Sequence, residues 1–373
     1  MERVRAYLQE RQAEILRDIE ALVRTESPSG DREGIGRVLD QVQAFLTPLA
    51  SVERHDTPAG GLLHARVPAE SSERVVLLAH ADTVYPRGAW SELWRVHDGR
   101  AYGPGAYDMK GGTVQSLWAL RALHDLALRP RCTVEFLLTP DEEAESRDSR
   151  ATIERLAAGA RAVLVLEPPA GNGDLKVARK GVGTYRLTVR GKAAHQGTEP
   201  EKGVNAVVAA AELIGKIVAL QDLEAGTTLG PNVIHGGTVS NVVADLVELK
   251  VDVRVWTQAE ATRVDAAMQA LRPSLEGASV EVRDGLNRPP MEPGEGAWGV
   301  FEKARAIAAS LGLPTGAARV GGGSDGNFTA SLAPTLDGFG AMGAAAHQRD
   351  LEYIEIDQLV PRATLLAQLL LDL

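Results

Sequence analysis

Histidine and acidic residues recur along this sequence, several of them directly after short apolar runs. In chain order they are His80, Asp82, Asp108, Glu142, Glu143, Glu167 and His347. Buried parallel strands read as apolar runs, and in open α/β sheets the chemistry gathers at the carboxyl ends of the strands. Imidazole and carboxylate donors, with no cysteine among them, suit one or two zinc-like ions. The pattern therefore predicts a metal-dependent hydrolase.

Two local spacings support this hypothesis, although neither is specific alone. His80 and Asp82 share one face of an extended segment, so Asp82 could hold the imidazole in place. Adjacent side chains at a strand end point in opposite senses, so one of Glu142 and Glu143 can bind a metal while the other moves protons. An exposed acidic turn is the alternative for this pair, because neighbouring positions are also acidic.

Asp108 lies between a glycine-rich approach, 103–106, and a segment with helical spacing that begins near residue 113. Aspartate is a favoured helix N-cap residue, and capping is one interpretation of this position. The other interpretation is a carboxylate that bridges two ions. The local sequence leaves both open.

The elements that must position these residues follow from hydrophobic periodicity. Helical spacing predicts helices over 1–24, 32–46, 113–126, 149–158, 204–220, 259–271, 297–311 and 360–371. Between residues 73 and 167 strand-like runs alternate with helical segments, which indicates βαβ units and a mostly parallel sheet flanked by helices.

The pattern changes near residue 178. Strand-like runs at 182–189, 239–255 and 279–283 surround two helices, which is typical of a small α+β domain with an antiparallel sheet. Residues 287–294 have the composition of a return linker. The sequence therefore predicts an α/β catalytic domain over 1–177 and 291–373, with a smaller α+β domain inserted at 178–290.

Composition excludes several classes of function. The 373 residues are 44% hydrophobic and 24% charged, a composition normal for a soluble globular protein that can bury a sizeable core. The net charge of −10 and the lack of a dense Lys/Arg block argue against a nucleic-acid partner. No signal-like or transmembrane stretch is evident, so we expect a cytoplasmic protein with no membrane partner. Cys132 is the only cysteine, so no disulfide can form within the chain.

The ordered set of motifs resembles the co-catalytic zinc amidohydrolases, which include acetylornithine deacetylase, succinyl-diaminopimelate desuccinylase, aminoacylase and bacterial glutamate carboxypeptidase. The motifs are His80-Ala-Asp82, Gly103-Pro-Gly-Ala-Tyr-Asp108, Asp141-Glu-Glu143, Glu167-Pro, Gly191-Lys-Ala-Ala-His195 and Gly321-Gly-Gly-Ser-Asp325. The resemblance covers nearly the whole chain. Within this family, the motif sequences most resemble those of the glutamate carboxypeptidase branch, in segments such as Asn287-Arg-Pro.

The resemblance implies two Zn²⁺ ions per chain, with Co²⁺ or Mn²⁺ as possible substitutes. His80 and Glu167 would bind one ion, Glu143 and His347 the other, and Asp108 would bridge them. Two further residues complete the implied machinery, with Asp82 orienting His80 and Glu142 acting as the general base. The peptide bond after Asp108 is expected to be cis, as it is in the family.

The resemblance also assigns substrate contacts. His195 would stabilise the oxyanion, across a homodimer interface that the inserted lid domain is expected to form. Asn241 and Arg288 would hold a free carboxylate of the substrate, a task that suits the planar guanidinium fork. A glycine turn that leads into a helix can present N–H groups to the same carboxylate, which makes Gly322, Gly323 and Ser324 candidates. Ser324 could equally cap that helix.

The expected reaction is cleavage of an amide bond next to a free carboxylate, in a small peptide or an N-acyl amino acid. A glutamate-carboxypeptidase-like exopeptidase that releases a C-terminal amino acid is the leading hypothesis. An N-acyl-amino-acid deacylase of the aminoacylase or deacetylase type is the alternative. A metal-free, inactive relative that serves as a binding protein is the rival from another class.

Overall fold

The structure is a computed structural model that describes residues 1–69 and 71–373. Its helices are α1 (Glu2–Glu10), α2 (Gln12–Arg24), α3 (Arg32–Leu46), α4 (Gly111–Asp125), α5 (Arg150–Ala157), α6 (Ala206–Val218), α7 (Gln258–Gln269), α8 (Glu295–Ser310), α9 (Gly326–Thr329) and α10 (Leu359–Asp372). Its strands are β1 (Ser51–His55), β2 (Leu62–Val67), β3 (Ser71–His80), β4 (Arg95–His97), β5 (Arg100–Tyr102), β6 (Cys132–Thr139), β7 (Ala162–Val165), β8 (Leu175–Arg179), β9 (Gly181–Arg190), β10 (Thr228–Gly236), β11 (Leu246–Val255), β12 (Ser279–Arg288), β13 (Ala317–Val320), β14 (Thr335–Asp337), β15 (Gly343–Ala344) and β16 (Tyr353–Glu355).

The chain divides into two compact units. The first comprises Met1–Ala178, Pro293–Val320 and Ser324–Leu373, and the second comprises Arg179–Glu292 with Gly321–Gly323. Among the described residues, 1–69 and 71–373, no helix has both the length and the apolar character needed to cross a membrane.

A twisted sheet with strand order β1-β2-β6-β3-β7-β14-β8-β13 forms the centre of the first unit. The inner strands β6, β3, β7 and β14 run parallel, and antiparallel pairs extend the sheet on both sides. Strands β6 and β7 are buried along their whole length, as their continuous apolar sequences require in a sheet covered on both faces. The predicted α/β class with a mostly parallel sheet flanked by helices is confirmed.

The register of the inner strands decides where the polar side chains meet. His80 at the end of β3 lies opposite Thr139 at the end of β6, and Leu78 lies opposite Val165 at the end of β7. Parallel strands expose their carboxyl ends at one edge, so the segments after β6 and β7 emerge beside His80.

A second, smaller antiparallel sheet has the strand order β15-β16-β5-β4. In it Tyr353 pairs with Tyr102, and Gly343 pairs with Ile354. The chain between β15 and β16 carries His347, and the chain after β5 leads to Asp108. This small sheet therefore brings two distant candidate segments to the same place.

The second unit has its own core. Its antiparallel sheet has the order β10-β11-β9-β12, and burial alternates along β11 because one face packs on the core. Helices α6 and α7 contribute buried apolar residues such as Leu213 and Val264 to the cluster that this face covers. This is the α+β arrangement expected for the insertion.

Some local expectations need correction. Strand β10 was not predicted; its sequence contains Gly230 and Pro231, and its pairing with β11 is irregular at that point. Strand β12 continues through Arg288, so Asn287 and Arg288 end a strand instead of starting a linker. The N-cap of α3 is Asp31, whose carboxylate accepts the N–H of Gly34.

Candidate metal centre and active site

His80 is a buried imidazole at the end of β3, with only 2% of its surface exposed. Its Nε2 atom lies 3.3 Å from Asp108 Oδ1 and 3.4 Å from Glu167 Oε1. Its Nδ1 atom faces Asp82, at 3.0 Å from the backbone oxygen and 3.4 Å from Oδ1. One nitrogen is thus held by Asp82 while the other faces two carboxylates, an orientation suited to a metal ligand.

Asp82 also holds the segment after β6. Its Oδ1 accepts the N–H of Glu142 at 3.1 Å, and its Oδ2 accepts the N–H of Glu143 at 3.2 Å and the hydroxyl of Ser29 at 2.6 Å. These two N–H groups belong to a 3₁₀ turn, Glu142–Ala144. Asp82 therefore positions the imidazole and both glutamates from one buried carboxylate.

Asp108 lies between two histidines. Its Oδ1 is 3.3 Å from Nε2 of His80, and its Oδ2 is 3.3 Å from Nε2 of His347. The helix α4 begins after Lys110, so the capping interpretation of Asp108 does not hold. The expected cis peptide bond joins Asp108 to Met109. A carboxylate that offers one oxygen to each imidazole has the arrangement of a bridge between two ions.

The second histidine completes a matching set of donors. Nε2 of His347 lies 3.2 Å from Oε1 of Glu143, and its side chain is about half exposed. Two groups of three residues could each hold a metal ion. In one, the ligand atoms of His80, Asp108 and Glu143 lie within 4.8 Å of one another. In the other, the same holds for His80, Glu142 and Glu167. All seven candidates named from the strand-end pattern therefore converge in the first unit.

The donors fit a pair of divalent ions. Oε1 of Glu143 is buried, accepts no hydrogen bond from the described residues, and forms an ion pair with Nε2 of His347 at 3.2 Å. A buried carboxylate oxygen is costly unless a cation satisfies it, and a metal ion held by both side chains would take the place of the histidine proton. Imidazole nitrogens and carboxylate oxygens in equal arrangement on both sides of Asp108 are the donors that zinc takes in catalytic sites.

The electrostatics of the site reflect this crowding. Contacts with Asp108, and then with Glu143, raise the pKa of His347 to about 11. Burial opposes protonation of His80, but hydrogen bonds with Asp108 and other carboxylates raise its pKa well above the usual range. Burial would raise the pKa of Asp108, yet the two histidines hold it below its usual value. Burial raises the pKa of Glu143.

Two buried residues beside this cluster were not predicted. Glu352 accepts the N–H groups of Tyr107 and Asp108 and the hydroxyl of Tyr85, and burial raises its pKa to about 7. Lys110 donates from Nζ to the Thr25 carbonyl at 2.7 Å, and burial lowers its pKa to about 7. Neither residue follows an apolar run that would have drawn attention to it.

His195 and Asn241 lie on neighbouring segments of the second unit. His195 forms a bridge with Val242, and Gln196 donates its N–H to the carbonyl of Asn241 at 2.9 Å. Both candidates are exposed. Nδ1 of His195 accepts the N–H of Gly197 at 3.2 Å, which leaves Nε2 as the ring nitrogen able to donate.

Arg288 ends β12 opposite Val182 and is 6% exposed. Gly322 and Gly323, which also belong to the second unit, accept hydrogen bonds on their carbonyl oxygens from Nη1 of Arg179, at 3.1 and 3.0 Å. Arg179 is a buried residue that sequence reasoning missed, and it holds this glycine loop by its carbonyl oxygens.

Ser324 belongs to the first unit and is fully buried. Its hydroxyl donates to Asp337 at 2.7 Å and accepts the N–H of Gly326 at 3.1 Å. Its own N–H donates to the side chain of Asn327 at 2.8 Å. The N-cap residue of α9 is Asp325, so Ser324 precedes the cap position and its hydroxyl accepts the first N–H of the helix. A substrate contact by Ser324 stays a prediction.

Comparison with known proteins places this arrangement in a family. The model of peptidase family M20/M25/M40 matches residues 76–372, which include every residue of the metal cluster.

Two curated relatives and one solved structure illustrate the similarity. Carboxypeptidase G2 of Pseudomonas sp. (strain RS-16) is 32% identical over 375 residues, covering 97% of this chain and 90% of the relative. Succinyl-diaminopimelate desuccinylase of Verminephrobacter eiseniae is 30% identical over 348 residues, covering 84% and 86%. A dinuclear metal binding peptidase from the M20 family of Bacillus subtilis has a TM-score of 0.73 at 16% identity, covering 98% of both chains, which shows a shared fold.

Proposed function

The chain belongs to peptidase family M20/M25/M40, and we propose that it is a two-zinc exopeptidase that releases a C-terminal amino acid, such as glutamate, from a peptidyl or N-acyl group. The observation that carries the proposal is the symmetry of the metal centre. Two histidines approach opposite oxygens of one carboxylate at 3.3 Å each, and a glutamate stands beside each histidine.

Each side of the centre has its own ligands in this proposal. His80 and Glu167 would hold one ion, His347 and Glu143 the other, and Asp108 would bridge them. When bound, such ions act as Lewis acids and lower the pKa of water at the site to roughly 7.

Glu142 moves the proton. Its carboxylate lies in the same donor group as His80 and Glu167, and its backbone is fixed by Asp82. It would accept a proton from the attacking water and return it to the leaving amine, which restores the base for the next turnover.

His195 is suited to stabilising the oxyanion because its Nδ1 is occupied as an acceptor, which leaves Nε2 to donate. An oxyanion donor of this kind typically contributes about 3–4 kcal/mol to transition-state stability. Asn241 and Arg288 would hold the substrate carboxylate, with the Gly322 and Gly323 N–H groups as further donors.

A deacylase is the second candidate, favoured by the similarity to succinyl-diaminopimelate desuccinylase. An exopeptidase and a deacylase cleave the same kind of bond and differ in the group on either side of it. The two functions therefore share the metal centre and differ in substrate contacts.

A substrate panel tests the proposal. Zinc-loaded protein is assayed on N-acyl glutamates, pteroyl glutamates, dipeptides and acetylated amino acids, each paired with its C-terminal amide as a matched control. We expect hydrolysis of free-carboxylate glutamate substrates and little hydrolysis of the amides. Equal rates on acids and amides, or no turnover of any member with both ions bound, would contradict the proposal.

A further inference from the structure

We propose that Glu352 is a positioning residue that sets the geometry of the metal centre by fixing the Asp108 backbone and the loop that carries His347. The inference rests on the metal centre of the proposed function and is independent of the substrate. Glu352 itself faces none of the donor nitrogens described above, so it is not a ligand candidate.

Backbone N–H groups and a tyrosine hydroxyl hold the Glu352 carboxylate. Oε1 accepts the N–H of Tyr107 at 2.9 Å and the N–H of Asp108 at 3.0 Å, and Oε2 accepts the hydroxyl of Tyr85 at 2.7 Å. The side chain is fully buried, with 0% of the residue exposed. Two convergent N–H donors on one oxygen leave the peptide before Asp108 little freedom to rotate.

Glu352 lies close to His347 along the chain. It follows His347 by five residues. Its backbone N–H donates to the carbonyl of Gln348 at 3.1 Å, and its carbonyl accepts the N–H of Gly103 at 3.2 Å. One residue therefore ties the loop of one histidine to the segment that carries the bridging carboxylate.

The contacts of Asp108 with both histidines depend on the orientation of its backbone. Each oxygen of Asp108 faces a different imidazole, so a rotation of the Asp108 backbone would displace both contacts at once. Loss of a residue that orients a metal ligand typically lowers metal affinity about 10–100-fold. The effect should be larger for the ion on the His347 side, because Glu352 also anchors that loop.

Variants at position 352 can separate geometry from charge. Glu352→Gln keeps an oxygen for the two N–H groups, and its amide can donate to the Tyr85 hydroxyl, so the arrangement survives. Glu352→Asp keeps the charge but withdraws the carboxylate by one methylene. Glu352→Ala removes both the charge and the hydrogen-bond acceptors. Tyr85→Phe is the control, since it removes only the bond to Oε2.

The experiment is a titration of metal-free protein with Co²⁺ alone, followed by calorimetry and by the visible absorption spectrum, which reports ligand geometry. We expect Glu352→Ala and Glu352→Asp to weaken at least one of the two binding steps by at least about tenfold and to alter the spectrum. Glu352→Gln should retain both steps and the wild-type spectrum, and Tyr85→Phe should lose less affinity than Glu352→Ala. Thermal unfolding of the metal-free forms shows which variants are folded.

Wild-type Co²⁺ affinity and spectrum in Glu352→Asp would overturn the proposal. So would an equal loss in Glu352→Gln and Glu352→Asp, which would assign the effect to charge or packing. If Glu352→Ala does not fold, the comparison of the Gln and Asp variants decides alone. Because no substrate is present, a failed substrate panel leaves this result intact, whereas a wild-type chain that binds no Co²⁺ contradicts both proposals.

Discussion

His347 and His80 carry raised pKa values in the metal-free protein, and both must be neutral to bind an ion. The folded pKa of His347, about 11, lies above the value of about 6.5 for an unperturbed histidine. Its charged contacts therefore stabilise the metal-free fold fully below pH ~6.5, and this contribution is lost as the pH rises through the folded pKa. At neutral pH, a bound metal ion would take the place of the histidine proton in these contacts.

Binding of Zn²⁺ at pH 7.5 should therefore release at least roughly two protons per chain, one from each histidine, and the water at the site adds up to about one more. Calorimetric titration in buffers of different ionisation enthalpy measures the number. His347→Ala is the control and should release about one proton fewer. A proton count near zero for the wild-type chain would show that the histidines are neutral before the ions bind.

Arg288 provides a test of carboxylate recognition. Loss of a charge-assisted, bidentate bond costs about 1.5–3 kcal/mol, so Arg288→Ala should raise KM about 10–100-fold with a smaller effect on kcat. Arg288→Lys keeps the positive charge but loses the planar guanidinium, so its KM should lie between the values for the wild-type protein and for Arg288→Ala. Because Arg288 is buried, unfolding curves are needed for each variant. An unchanged KM in a folded Arg288→Ala variant would remove this residue from substrate binding.

The metal-centre candidates could be predicted from the sequence because each belongs to one of a set of motifs whose order along the chain is distinctive. His80 and Asp108 illustrate this, since neither is specific alone. Glu352 and Arg179 were not accessible, because their roles consist of hydrogen bonds to backbone groups far away in sequence. No local pattern records such contacts.

At the scale of elements, the long periodic helices were predicted within a few residues of their observed ends, except that the segment 1–24 forms two helices, α1 and α2, separated at Arg11. The parallel strands were recognisable as apolar runs, but their register, which brings the carboxyl end of β7 beside His80, depends on pairing between distant segments. Strand β10 was missed because glycine and proline interrupt the alternation that marks a half-buried strand. Edge strands tolerate such residues, whereas sequence patterns treat them as breaks.

The contact between α4 and the end of β7 gives a prediction at this scale. A Cβ on Gly112 would lie 2.4 Å from the carbonyl oxygen of Leu166, directly before Glu167. Gly112→Ala should destabilise the protein by about 1–3 kcal/mol through overpacking. Gly299→Ala in α8 is the matched control, because nothing lies within 4 Å of its added Cβ, and it should stabilise by about 0.5–1 kcal/mol. Denaturant unfolding measures both, and similar shifts in the two variants would contradict close packing at Gly112.

At the scale of the whole molecule, the metal candidates lie in one unit, while His195, Asn241 and Arg288 lie in the other. The change in pattern near residue 178 predicted that a second domain interrupts the first. The sequence does not reveal how the two units cooperate, because that depends on surfaces and not on periodicity. We propose that the second unit acts as a lid and forms a homodimer, so that His195 of one chain serves the metal centre of another.

Subunit mixing tests this arrangement. His195→Ala and Glu142→Ala chains should each be inactive, and a mixed dimer should regain part of the wild-type activity at the site where both functional residues meet. Each variant refolded or exchanged with itself is the control. A mixture that forms mixed dimers but stays inactive would place His195 and Glu142 in the same chain's site.

The central claim is that Glu142 moves protons at a centre whose ions are held by other residues. Glu142→Ala should lower kcat by about 10²–10⁴-fold while the protein retains two ions per chain, whereas Glu143→Ala should lose an ion. The decisive measurement is metal content and hydrolysis rate on the same zinc-loaded samples. We expect an inactive Glu142→Ala protein with full metal content; wild-type turnover, or loss of an ion from that variant, would contradict the role of Glu142 as the proton carrier.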